Sequence, residues 1–183
     1  EDKKSYTFSK EEGIDPMLLK SITDQYGTIN KDKAQEAGYI IEDGDAWISK
    51  DVDVLIPAAL EGQITAETVN KISKKVKILA EAANGPTTPE ADVVLEKNGV
   101  FVIPDFLCNA GGVTVSYFEG VQNDQNFYWS REEVLERLNQ KMTDAFKSVL
   151  DMSLSKKVYT RDAAYMVSID KVVKAMRLRG WIS

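Results

Sequence analysis

Three turns in the 183-residue chain carry residue types that can hold a ligand. The first is Glu81-Ala82-Ala83-Asn84-Gly85-Pro86-Thr87-Thr88-Pro89-Glu90. There a β-branched run ends in alanines, and a polar turn then opens a helix. Small side chains let a flat ligand lie against the backbone, and the Asn84 amide offers both a donor and an acceptor to a carboxamide or hydroxyl. The second is Cys108-Asn109-Ala110-Gly111-Gly112-Val113-Thr114-Val115-Ser116-Tyr117-Phe118-Glu119. Paired glycines at a helix start permit close approach to N–H groups at the positive end of the dipole. Ser116, one turn further in, can hydrogen-bond an anionic group. The third is Pro57-Ala58-Ala59-Leu60-Glu61, a strand end able to lie beneath a flat ligand. Each string also reads as a plain strand-to-helix junction or as a buried strand leaving a sheet. Residue chemistry alone leaves both readings open.

Other chemistry is excluded more firmly. The chain has no histidine, which removes His-based zinc sites and the Ser-His and Cys-His nucleophile pairs. No metal site is expected. A general acid or base must be Lys, Asp, Glu or Tyr, or must lie outside this chain. The single cysteine, Cys108, allows no internal disulfide, fits a reducing, cytoplasmic setting, and reads as a small buried apolar side chain. The Tyr128-Trp129 pair reads as packing. With 29 acidic against 23 basic residues the net charge is -6, which argues against nucleic acid as a partner. No run of about 18 apolar residues exists, so no membrane span is expected, and no signal peptide is expected. The chain starts at Glu1 without a methionine, so it is expected to begin after processing, after proteolysis, or within a longer gene product.

The elements that must position the three turns follow from periodicity. Residues 52–59, 76–83 and 100–105 have strand length and β-branched enrichment. Thr65 can cap a helix over 66–73, and Thr88-Pro89-Glu90 opens a helix over 89–97 that Gly99 closes. Alternating strands and helices on short links predict a parallel sheet with helices on both faces. Right-handed crossovers then bring 57–62, 82–88 and 107–112 to one cleft at the strands' carboxyl ends. Upstream, Asp15-Pro16 starts a helix over 16–26 that stops at Gly27, and 34–38 reads as a helical turn. No strand is expected before residue 50. Downstream, a helix covers 110–123. Ser130-Arg131-Glu132-Glu133 is a capping box opening a long helix with Leu135, Leu138, Met142, Ala145, Phe146 and Val149 on one face. Thr160 can cap a last helix over 161–178, with Ala164, Val167, Ile169, Val172 and Met176 inward.

The three strings in order, followed by Met176-Arg177-Leu178-Arg179-Gly180-Trp181, resemble the C-terminal part of the Glu/Leu/Phe/Val dehydrogenases, and glutamate dehydrogenases in particular. The likeness runs from near Gly13 to the end and covers somewhat less than half of that family's usual chain. The leucine, valine and phenylalanine enzymes share Asn-Ala-Gly-Gly-Val but do not usually continue with Ser-Tyr-Phe-Glu. The resemblance implies an α/β fold: a partial Rossmann-like dinucleotide-binding domain over 1–125, lacking its first βαβ, with a C-terminal helical section of the same domain over 126–183. No G-x-G-x-x-G pyrophosphate turn is present, in keeping with that gap. The implied reaction is oxidative deamination of L-glutamate to 2-oxoglutarate and ammonia, with NAD as cofactor and NADP as the alternative. By the same resemblance, Ala58, Ala59, Ala83, Asn84 and Asn109 line the nicotinamide end of the cofactor, with Asn84 the first choice for a direct hydrogen bond. Val113 lines the substrate pocket, and Ser116 binds the substrate's side-chain carboxylate. Glu1 falls near the acidic position that meets the ribose hydroxyls in NAD-preferring members. Catalytic lysine and aspartate belong to the absent N-terminal substrate domain, so no catalytic residue is assigned and the isolated chain is expected to be inactive. The parent enzyme is expected to be a homo-oligomer, a hexamer. Gly120 departs from the tryptophan many relatives carry. Two alternatives stand beside this reading: another amino-acid dehydrogenase (Leu, Phe or Val), and a truncated, non-catalytic interaction protein.

Overall fold

The computed structural model describes residues 5–182. Glu1, the expected ribose contact, lies outside the described residues. The chain divides into two compact units, Glu1–Lys50 and Asp51–Ser183.

The first unit holds β1 (Tyr6–Ser9), α1 (Pro16–Ser21), α2 (Lys31–Glu36) and β2 (Ile40–Asp43). β1 and β2 pair antiparallel, with Tyr6 opposite Asp43 and Ser9 opposite Ile40. This corrects the expectation of no strand before residue 50. β1 is only four residues long, and one Tyr-Thr-Phe-Ser alternation of aromatic and hydroxyl side chains is too brief to stand out as a strand. Its ladder comes from a partner more than thirty residues away, and Thr7 reinforces it by donating to Gly44 O and accepting the Trp47 N–H. Asp15 caps α1 through the Met17 and Leu18 N–H groups. The helix stops at Ser21 rather than reaching 26, because the Asp24 carboxylate takes the Tyr26 and Thr28 N–H groups and folds 23–29 into a turn. Asn30 caps α2, which begins three residues before the expected turn at 34–38.

In the second unit β3 (Val54–Leu55), β4 (Ile78–Ala80) and β5 (Phe101–Ile103) form a parallel sheet in the order β3-β4-β5. The strands are shorter than their apolar runs, since each chain bends into a strand-end turn. The expected helix over 66–73 is instead a single 3-10 turn, Val69–Lys71. Thr65 and Thr68 explain it. Their hydroxyls take the Glu67, Thr68 and Thr65 N–H groups, and Thr68 also donates to Gln63 O, so side chains compete with the helical ladder. α3 (Pro89–Lys97) is capped by Thr88 and ends before Gly99, whose φ of +72° is the left-handed conformation glycine tolerates.

A short helix, α4 (Asp105–Cys108), meets α5 (Ala110–Gln125) at Asn109, and α5 runs two residues past 123. α6 (Arg131–Lys156) starts at Ser130, which accepts the Glu133 N–H. Glu133's carboxylate takes Arg137 Nε and Nη2 one turn on. α7 (Thr160–Leu178) begins one residue early, with Tyr159 as its cap. Thr160 does not cap; its hydroxyl donates to Val102 O at 2.6 Å. The core beneath α6 and α7 joins Leu107, Val149, Ala163 and Ala164 to Ile103, Phe106 and Phe146. Two expected faces need correction. On α7 the buried stripe is Thr160, Ala163 and Ala164, with Val167 half-buried, and this i, i+3, i+4, i+7 set leaves Ile169 and Val172 outside. On α6, Leu135 is exposed. Among the described residues no helix is long and apolar enough to cross a membrane.

Candidate functional site

The segments following β3 and β4 are laced together by backbone hydrogen bonds. Pro57 O accepts the Ala82 and Ala83 N–H groups at 3.0 and 2.9 Å. Gly62 donates to Gly85 O at 2.9 Å, Ile64 to Pro86 O at 2.8 Å, and Thr88 back to Ile64 O at 2.9 Å. The turn after β4 is thus an extra partner for the segment after β3. Gly85 has φ +53°, the left-handed conformation that glycine adopts without steric cost.

α4 grips the same turn from the other side at two points. Asp105 Oδ2 accepts the Gly85 N–H at 2.8 Å. Asn109 Nδ2 donates to Asn84 Oδ1 at 2.7 Å and lies 3.5 Å from Ala83 O. With its Oδ1 engaged, the exposed Asn84 amide has N–H groups to offer a carbonyl or carboxamide. Ala83 is buried beneath the turn, whereas Ala58 and Ala59 are exposed at the end of β3. Asn109, Val113 and Ser116 fall at i, i+4 and i+7, so they line one face of α5. Val113 is 70% exposed and Ser116 is exposed. A Cβ on Gly112 would meet nothing within 4 Å, so open space flanks the helix start. The arrangement is an open strand-end surface carrying amide donors, small apolar groups and a hydroxyl. It suits binding and orientation of a flat polar ring.

Among the described residues no group of His, Cys, Asp and Glu could hold a metal ion. Cys108 is half-buried rather than fully buried, and burial, with a smaller contribution from the Glu81 charge, pushes its thiol above the ordinary range. That disfavours the thiolate a nucleophile needs. Trp129 packs edge-on against Phe118 at 5.6 Å and lies 4.3 Å beneath the Arg137 guanidinium, as the packing reading expected. Its neighbour Tyr128 is 66% exposed, contrary to that reading.

A charged cluster behind the turn is absent from the sequence reading. Arg161, at the start of α7, makes a two-pronged contact with Glu81 (Nη2–Oε1 2.7 Å, Nη1–Oε2 2.9 Å) and binds Asp92 through Nε at 2.5 Å. Its Nη1 lies 3.6 Å from Asp105 Oδ1. Glu81 is fully buried. Burial works against the Arg161 charge, but the hydrogen bonds it donates to the Glu81 and Asp92 carboxylates outweigh it and raise the guanidinium pKa further. The one sequence cue was a carboxylate within the apolar run 76–83. Nothing local points to a partner eighty residues away.

The sequence pattern of the family described as Glutamate/Leucine/Phenylalanine/Valine dehydrogenase matches residues 1–180. A NAD-specific glutamate dehydrogenase of Staphylococcus aureus (strain COL) is 40% identical over 176 residues, which take in 87% of this chain and 42% of the relative. The chain therefore spans less than half the length of the curated relatives it matches. The crystal structure of glutamate dehydrogenase from Peptoniphilus asaccharolyticus is similar at 46% identity and a TM-score of 0.65, covering 69% of this chain and 32% of that one. The hetero-hexameric glutamate dehydrogenase from Thermus thermophilus, in its Leu-bound form, superposes with a TM-score of 0.82 at 26% identity, over 93% of this chain and 38% of that one.

Proposed function

The chain belongs to the glutamate/leucine/phenylalanine/valine dehydrogenase family, and from that premise we propose that it is the cofactor-side portion of a NAD-dependent glutamate dehydrogenase. The observation that carries this is the 2.7 Å bond from Asn109 to Asn84, which joins two strand-end turns into one surface of amide donors. A bound nicotinamide nucleotide supplies the hydride acceptor. The chain's own residues bind and orient. Asn84 hydrogen-bonds the carboxamide, and Asn109 holds Asn84 in register. Ala58, Ala59 and Ala83 keep the surface flat where the ring lies. Val113 forms a wall of the substrate pocket, and Ser116, one turn further along α5, receives the glutamate side-chain carboxylate.

In this proposal 1–125 is a partial dinucleotide-binding domain and 126–183 its C-terminal helical section. The proton-transfer groups come from a substrate domain outside the chain, so the chain alone turns over no glutamate. NAD is the cofactor, with NADP as the alternative, and Glu1 is the proposed ribose contact. NAD specificity in the S. aureus relative and the hexameric state of the T. thermophilus enzyme support NAD and a hexamer here. A cytoplasmic setting accords with the lone cysteine.

Ser116→Ala in the complete enzyme tests the substrate assignment. We expect the KM for glutamate to rise about tenfold or more, as for loss of a hydrogen bond to a charged group, with NADH affinity unchanged. Equal turnover of leucine and glutamate by the unsubstituted enzyme would assign the chain to another amino-acid dehydrogenase. Glutamate-dependent NADH formation by the purified 183-residue chain would overturn the assignment of the acid–base groups to another domain.

A further inference from the structure

Resting on that reading of the Asn84–Gly85 turn, we infer that Arg161 is its positioning residue, acting from the first turn of α7 through Glu81 and α4. The connection is continuous. Arg161 holds both oxygens of Glu81. Glu81 Oε2 also accepts the Asp105 N–H at 2.9 Å, which is the first amide of α4. Asp105 Oδ2 then accepts the Gly85 N–H. Asn109, at the other end of α4, holds Asn84. Moving α4 therefore moves both residues of the turn.

Charge explains why the clamp needs arginine. Glu81, Asp92 and Asp105 bring three carboxylates around one guanidinium, and Glu81 has no access to solvent. A planar five-donor fork can satisfy several oxygens at once, whereas an ammonium is a point charge. Removing one partner of a buried pair leaves an uncompensated charge, so the remaining carboxylates separate or take up water. Asp105, whose 3.6 Å approach to Arg161 is the loosest of the three, also carries the Gly85 bond. Arg161 touches none of the residues proposed to meet cofactor, so it acts on binding only through the turn.

Amide hydrogen exchange on the purified chain reads the clamp whether or not a cofactor binds. In Arg161→Met, exchange at Gly85 and Asp105 should quicken about tenfold or more, while α6 amides near Val149 change by less than about threefold. Arg161→Lys should fall between that variant and the unsubstituted chain. If Arg161→Met fails to fold, Asp105→Ala serves instead. It removes the Gly85 acceptor and the 3.6 Å approach to Arg161, leaves the Arg161–Glu81 pair in place, and should quicken Gly85 selectively. NADH titration of the complete enzyme carrying the same substitutions adds the cofactor arm. Selective exchange with about tenfold weaker NADH binding supports both the clamp and the cofactor seat. Selective exchange with unchanged NADH affinity keeps the clamp and removes the cofactor seat. Unchanged protection at Gly85 in Arg161→Lys and Asp105→Ala, or uniform acceleration across the sheet and α6, overturns the clamp.

Discussion

Replacing Asn109 by alanine should weaken NADH binding even though another residue makes the proposed contact. The structure sets the size of the effect. Asn109 Nδ2 donates to Asn84 Oδ1 at 2.7 Å, well within hydrogen-bond range, whereas its 3.5 Å approach to Ala83 O is at the limit. One neutral bond is thus lost, at a net of about 1 kcal/mol, or about fivefold in Kd. Its side chain does not cap α5, so the helix should survive the substitution. Asn84→Ala removes the amide itself and should cost about tenfold. The double variant decides the reasoning. If Asn109 acts only by orienting Asn84, the pair loses no more than Asn84→Ala alone, leaving a coupling of about 1 kcal/mol. NADH fluorescence titration of the complete enzyme at fixed ionic strength measures all three. Full additivity would show that the two asparagines act independently, and an unchanged Kd in both single variants would remove the turn from the cofactor site.

Thr160→Val tests how α7 closes the sheet. Phe101 and Ile103 bond β4, so Val102 O between them faces the open edge of β5, where Thr160 donates to it. Valine keeps the volume but strands that buried carbonyl, at about 1–3 kcal/mol. The urea midpoint should fall by about 1 M, while Thr160→Ser should largely hold it; equal midpoints for both substitutions would refute the role. Cys108 should alkylate more slowly than a free thiol at pH 8, because its raised pKa leaves less thiolate at that pH. Glu81→Gln should quicken the reaction by removing the nearby charge, and a rate matching free cysteine in the unsubstituted chain would contradict the burial effect.

Much of the second unit was legible in sequence because its signals are local. Thr88, Pro89 and Gly99 lie within one short segment and bound α3 at both ends. The β-branched runs announce three strands, and the crossover segments between them, one holding a 3-10 turn and the other α3, make them parallel. Strand-end alanines, glycines and Asn84 mark the turns, and the order of those strings carries the family. Local rules also misled where side chains bonded elsewhere. Thr160 has the residue type of a cap but serves a carbonyl on β5. Thr65 and Thr68 tie each other into a turn where a helix was expected.

The sequence by itself determined the sheet's composition, the turns at its edge and the family. Tertiary structure alone decided that β1 finds β2, that Asn109 meets Asn84, and that Arg161 compensates Glu81. Caps, turns and hydrophobic periods act over a few residues, where sequence spacing is spatial distance. These pairings span 25 to 80 residues, so only the folded chain brings the partners together.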